Sequence, residues 1–196
     1  MDKKLTLIII VAFTLLVIAC TKGFDKEKVV DKTEKVIENI KILELETNNH
    51  SIYTSIVINA PSNEVWQVMT DFNTMPNWSS TLKKISGNLT NEGRVDVTYS
   101  IDEKVRIIPH NFIYSENEHY GWSDTIQVLP GIIDRHLFRI ESIDSIHTKF
   151  IQSDEFKGQN KNINTVNLAR YVLPSYLIFN RELKKEVESR LQNSKK

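Results

Sequence analysis

The chain is poor in the residues that build many cofactor and metal sites. It has one cysteine, Cys20, in 196 residues, which excludes an intrachain disulfide and any cysteine-based metal site. It has six glycines, and no glycine-rich phosphate loop stands among them. Neither a His-Glu-x-x-His pair nor a serine on a nucleophile elbow occurs. Charge of one sign is not in excess: 25 Lys+Arg face 25 Asp+Glu. Such a balance gives no reason to expect nucleic acid or acidic substrates. Long apolar runs are missing too. The longest uncharged one, Leu5 to Ala19, has 15 residues, short of the roughly 20 that a spanning helix needs. No repeat or low-complexity segment is present. No cofactor and no metal is expected.

What is present begins with that same run. Lys3 and Lys4 precede it, and it ends in Val17-Ile18-Ala19-Cys20. The pattern reads as a secretory signal. A small residue followed by cysteine resembles the lipobox of bacterial lipoproteins, with Val17 where leucine is usual. The resemblance implies cleavage before Cys20, acylation of its thiol and a lipid anchor on the extracytoplasmic side of the cell envelope. In a diderm host, Thr21 after the cysteine would favour the outer membrane. Residues 1–19 are thus expected to be a signal peptide, and residues 20–50 an anchored, mostly charged tether. Val29, Thr33, Val36, Ile37 and Ile40 have helical spacing, while Ile40, Ile42 and the Leu43–Leu45 region fit an extended chain, so a short helix and an added edge strand both stay open.

From Ile52 the pattern sharpens. Ile52, Thr54, Ile56 and Ile58 alternate with Tyr53, Ser55, Val57 and Asn59, a strand signature. Pro61 stops the strand, and Val65, Val68, Met69 and Phe72 follow at helical spacing. A turn-rich stretch, 73–80, carries Met75, Pro76 and Trp78. Further strands are predicted over 82–85, 94–101, 105–114, 119–128, 135–142 and 148–156, separated by short turns. Pro109 argues for an edge or a bulge. From about Asn164 the period becomes helical, through Leu173, Leu177, Leu183, Val187 and Leu191, with Pro174 expected to break the helix. The class is α+β.

Ile56-x-Ile58-Asn59-Ala60-Pro61, Val65-Trp66, Asp71-Phe72 and Met75-Pro76-x-Trp78 together resemble the START-like (SRPBCC) superfamily. This is the polyketide cyclase/dehydrase and lipid-transport, or helix-grip, group. His136-x-Phe138 and Thr148-x-Phe150-x-Gln152-Ser153-x-Glu155-Phe156-x-Gly158 are similar to a bacterial branch of it. The resemblance spans about Tyr53 to Leu191, and 51–193 is taken as the domain. It implies a curved antiparallel sheet wrapped around the C-terminal helix, with two short helices after the first strand. It implies a ligand pocket between sheet and helix. Carried onto this chain, Met75 and Trp78 would sit at the mouth. His136, Phe138, Phe150 and Gln152 would point inward, with Phe112 and Trp122 as further candidates, and Tyr176, Phe179 and Leu183 would form the opposite wall.

The expected function is a tethered monomer holding a small hydrophobic or amphipathic ligand, lipid-like in character, with His136 and Gln152 orienting it. The alternatives are a cyclase or dehydratase using His136 as acid and base, and an interaction module whose interior is filled by its own side chains. Among the acids, Asp154 and Glu155 face opposite sides of one strand and cannot act as a pair. Asp124, Asp134 and Asp144 lie near turns and read as caps. His110, after Pro109, reads as exposed.

Overall fold

A computed structural model describes residues 38–101, 103–126, 129–160 and 162–194. The signal peptide, Cys20 and most of the tether lie outside the described residues. Eight strands form one antiparallel, curved sheet: β1 (Glu38–Glu46), β2 (Asn49–Ile58), β3 (Leu82–Gly87), β4 (Arg94–Ile101), β5 (Lys104–Ser115), β6 (His119–Thr125), β7 (Ile132–Ser142) and β8 (Thr148–Gly158). Their order is β1-β2-β8-β7-β6-β5-β4-β3. Two short helices, α1 (Ser62–Thr70) and α2 (Met75–Trp78), follow β2, and α3 (Thr165–Ser194) closes the chain. This is the helix-grip fold: α3 packs against β2 and β8 on the sheet's concave face, and α1 packs on α3.

The alternation in β2 does what a half-buried strand requires. Ile52, Thr54, Ile56 and Ile58 are buried, and the register sets Ile52 opposite Asp154 and Thr54 opposite Gln152. Pro61 caps α1, whose Val65, Trp66, Val68 and Met69 enter the core. Residues 38–50, grouped by their charge with the tether, belong to the sheet. Glu38–Glu46 is the edge strand of the two alternatives, paired with β2 and largely exposed.

Two expectations about proline resolve differently. Pro109 lies in β5 where that strand pairs with β4 alone. Residues 104–111 face β4, and only from Phe112 onward does β5 pair with β6. The missing N–H therefore points away from any ladder, as on an edge. Pro174 does not break the last helix, which runs unbroken for 30 residues. Pro174 is exposed, so the carbonyl it leaves without a donor can be hydrated, and the buried stripe Tyr176, Phe179, Leu183 and Val187 holds the helix in place. The helix begins where Asn164 accepts from the N–H of Asn167 at 3.3 Å. Its first residue, Thr165, meets His50 Nδ1 at 2.8 Å.

The buried side chains fall into two clusters. The larger gathers α1, Met75, the inner faces of the strands and Phe179, Leu183 and Val187 of α3. The smaller holds Ile52, Ile132, Phe156, Ala169 and Tyr176.

Candidate functional site

Where the two clusters meet, the interior is not filled. A cavity of about 270 Å³ lies between β4, β5, β7 and β8 and the first half of α3. That is near the lower bound of small-molecule pockets, which run from about 300 to 1,000 Å³. Helical periodicity brings Leu168, Val172, Ser175, Tyr176 and Phe179 to one wall. The opposite wall follows the strand period of two: Asp134, His136 and Phe138 from β7, and Gln152, Asp154 and Phe156 from β8. Ile126 and Leu129, with Ile108 of β5, complete an apolar surround.

The polar groups are concentrated on β7 and β8. His136 and Asp154 are direct cross-strand partners. Tyr176 donates its hydroxyl to Asp154 Oδ2 at 2.5 Å, and the same hydroxyl lies 3.5 Å from His136 Nδ1. Gln152 donates to His136 Nε2 at 2.8 Å. With Nε2 accepting, the neutral imidazole carries its proton on Nδ1, facing Tyr176 and Asp154. Trp122 meets the ring edge-on at 4.9 Å, and Phe138 stacks on it at 4.5 Å.

Burial controls the charge here. It pushes His136 well below the ordinary imidazole range, and nearby His110 adds to the effect, so His136 is neutral. Burial likewise pushes Asp154 well above the carboxylate range. The charge of Asp134 adds to this, while the Tyr176 hydrogen bond opposes it. Asp134 is raised to about 7, by burial first and then by Asp124. Burial, then the Asp154 carboxyl, also raise Tyr176 well above the ordinary phenol range.

A second chain of hydrogen bonds runs from the surface to the cavity. Arg94 reaches Asp124 Oδ1 at 3.2 Å, and the backbone N–H of Asn111 donates to the same oxygen at 2.8 Å. His110 Nδ1 donates to Asp124 Oδ2 at 2.8 Å, and Tyr99 donates to His110 Nε2 at 3.2 Å. His110, Asp124 and Asp134 place potential ligand atoms within 4.8 Å of one another, the group among the described residues that could hold a cation. Asp124 already has three donors, so an ion there would have to displace the His110 bond.

The chain matches, over residues 49–188, the profile of the family described as "Polyketide cyclase / dehydrase and lipid transport". That is well over half its length. The chain belongs to this family. A search of curated proteins finds no match. Among solved structures it is similar to the Zhui aromatase/cyclase of Streptomyces sp. R1128, with a TM-score of 0.61 and 11% identity over 73% of this chain and 96% of that one. It is also similar to a norcoclaurine synthase point mutant of Thalictrum flavum in complex with a transition-state analogue (TM-score 0.57, 15% identity, 75% and 99% covered). A START superfamily protein from Mycobacterium smegmatis is a third (TM-score 0.54, 15%, 71% and 97%). At such identities the likeness is one of fold.

Within this polyketide cyclase/lipid-transport fold, His136, Phe138, Gln152, Tyr176 and Phe179 line the cavity together. Met75, Phe112, Trp122, Phe150 and Leu183 are fully buried in the larger cluster instead. Trp78 does not stand at a mouth. The 73–80 stretch winds into α2, and Trp78 packs its ring 5.4 Å from Phe179 as part of the core's border. His110 is corrected as well. It is 3% exposed and stacks on Trp122, because Ile108, His110 and Phe112 share the inner face of β5. Asp134 is not a turn cap but an inward residue of β7, and Asp154 an inward residue of β8. Both were within reach of the alternation. Two residues back from His136 stands Asp134, and two on from Gln152 stands Asp154. Tyr99 was within reach as well, since it shares the inner parity of β4 with the buried Val95 and Val97. Val172 and Ser175 carried no such signal, since their place depends on how α3 crosses the sheet.

Proposed function

We propose that this protein is a membrane-tethered, extracytoplasmic binding protein that holds a small amphipathic ligand in the cavity between sheet and α3. The observation that carries the reading is the cavity itself: apolar walls around a buried polar cluster of His136, Gln152, Asp154 and Tyr176. Apolar burial at about 25 cal/mol per Å² would supply affinity, and the polar cluster would orient one end of the ligand. The family's association with lipid transport agrees with a lipid-like ligand. The Val17-Ile18-Ala19-Cys20 pattern supports acylation at Cys20, which would keep the cavity near a lipid surface. Protein purified from its own host should release a small molecule in native mass spectrometry after lipid extraction. A protein that carries nothing under gentle conditions counts against the reading. Metabolic labelling with a palmitate analogue should be lost in Cys20→Ser, and unchanged labelling would end the anchor proposal.

The Tyr176–Asp154–His136 cluster also favours a second reading, a cyclase or dehydratase in which His136 moves a proton. Both imidazole nitrogens are engaged in the free protein, so a substrate would have to displace Gln152 from Nε2. Under this reading His136→Ala abolishes turnover. Under the binding reading it weakens ligand retention only modestly.

A further inference from the structure

The cavity contains buried oxygens that its own donors do not fully satisfy. Asp134 Oδ1, Gln152 Oε1 and Asp154 Oδ1 are all buried without a hydrogen bond of ordinary geometry, and the single donor near them, the indole N–H of Trp122 beside Asp134, is itself unpaired. All three residues line the same cavity. Asp134, Gln152 and Asp154 are respectively 5%, 2% and 2% exposed. Unpaired acceptors at such depth are costly, at about 1–3 kcal/mol each, and more for a charged group. Something that brings donors would satisfy them.

No cation of the protein answers these acids among the described residues. Asp124 has Arg94 at 3.2 Å. The buried Lys184 is bonded to Glu188. Arg106 borders the cavity but is exposed. The two histidines that face the cavity are held neutral by burial. Two carboxyls thus share one apolar chamber without a counter-charge, and the chamber is walled by aromatic rings. His136 and Tyr176 lie 4.6 Å apart, and Phe138 and Phe179 5.3 Å apart. Ring faces attract cations, and carboxylates form charge-assisted hydrogen bonds with N–H donors.

We infer that the ligand's polar end is a protonated amine, seated among Asp134, Gln152 and Asp154, with its apolar body along Phe138, Phe179 and Val172. A primary ammonium has three N–H donors for the three unpaired oxygens. Its charge favours the ionised form of both acids inside the chamber, against the burial that raises them. A fatty-acid carboxylate at the same end would face two acids and no buried cation, and a simple alcohol would bring one donor to three acceptors. This inference names the ligand class and rests on the binding reading above.

Three probes of equal chain length decide it: octylammonium, 1-octanol and octanoate, titrated calorimetrically into the purified full chain at pH 7.5. Octylammonium should bind at least tenfold more tightly than 1-octanol, and octanoate more weakly than either. Asp134→Asn with Asp154→Asn should bring octylammonium to within about threefold of 1-octanol. The comparison within the wild type needs no variant, so it decides the matter even if the double variant does not fold. Val172→Phe, which narrows the chamber, should weaken octylammonium binding at least tenfold. Octanol or octanoate binding as tightly as the amine overturns the amine inference and leaves the binding reading standing. Amine binding undiminished in Val172→Phe places it elsewhere on the protein and likewise overturns the inference. If none of the three binds up to its solubility limit, the inference fails together with the binding of simple aliphatic ligands.

Discussion

A carboxyl buried without a cation is most stable as the neutral acid, and at Asp134 this makes stability depend on pH. Burial and Asp124 raise it to about 7 in the folded protein, against about 3.9 in an unfolded chain. The folded state holds the proton more tightly. The stabilisation is therefore fully present below about pH 4 and is lost as pH rises to about 7. His136 works in the opposite sense. Its folded value lies below the unfolded 6.5, so its contribution is present above about pH 6.5 and fades as pH falls through the folded value. Asp134→Asn removes the first effect and keeps the second. Urea unfolding at pH 4.5 and 7.5 should show wild-type stability falling relative to the variant, by on the order of 3 kcal/mol at about 1.36 kcal/mol per pH unit. A pH-independent difference would mean that Asp134 titrates as an ordinary carboxyl. Tyr176→Phe tests the neighbouring bond. It keeps the ring and leaves Asp154 Oδ2 without its 2.5 Å donor, so a loss of about 1–3 kcal/mol is expected from the same unfolding experiment. Strand parity makes His136, Phe138 and Gln152 legible from sequence, and the same parity contains Asp134 and Asp154. An aspartate near a turn is usually a cap, which hides the role of Asp134, while Asp154 was legible as a strand residue but not as an inward one, and only the depth of β7 and β8 in the fold decides both.

Among the elements, β6 meets the backbone of β7 at Gly121 with no room for a side chain. A Cβ there would stand 2.0 Å from the backbone oxygen of His136, which cannot move without shifting the strand that carries the polar cluster. Gly121→Ala should cost about 1–3 kcal/mol, as overpacking does, and should loosen the β6–β7 ladder. Chemical denaturation gives the first. Faster hydrogen exchange in the β6–β7 amides, with β1 and β2 unchanged, gives the second, and a destabilisation with no local exchange change would contradict it. The elements were the most legible level. Alternation, turn residues and the change of period after Gly158 mark nearly every strand and the last helix, because each is set by local steric and burial rules. The misses share a cause in tertiary context. Exposure on α3 makes Pro174 tolerable, packing against Phe179 draws Trp78 into the core's border instead of a mouth, and pairing with β2 decides for a strand at 38–46, which the pattern alone left open.

For the whole molecule, the decisive feature is that two apolar clusters are built against one helix and leave a gap between them. A chain selected only for stability would close it, since unfilled apolar space loses packing contacts. The motifs from Ile56 to Trp78 and from His136 to Gly158 carried the fold into view, because they reflect how a sheet wraps a helix. They carried less of the site, since a cavity is defined by what side chains from distant elements fail to fill. Val172 faces that gap from α3 and is half-buried. Val172→Phe puts added apolar surface where the chamber now stands. If the gap exists for a ligand, the variant should hold or gain stability, by up to about 1 kcal/mol, while losing the small molecule that the wild type retains through purification. Thermal unfolding and native mass spectrometry on the same preparations read the two quantities side by side. A variant that loses several kcal/mol would show the space to be already closed by the surrounding side chains. One that keeps its bound molecule would place the binding site elsewhere on the domain.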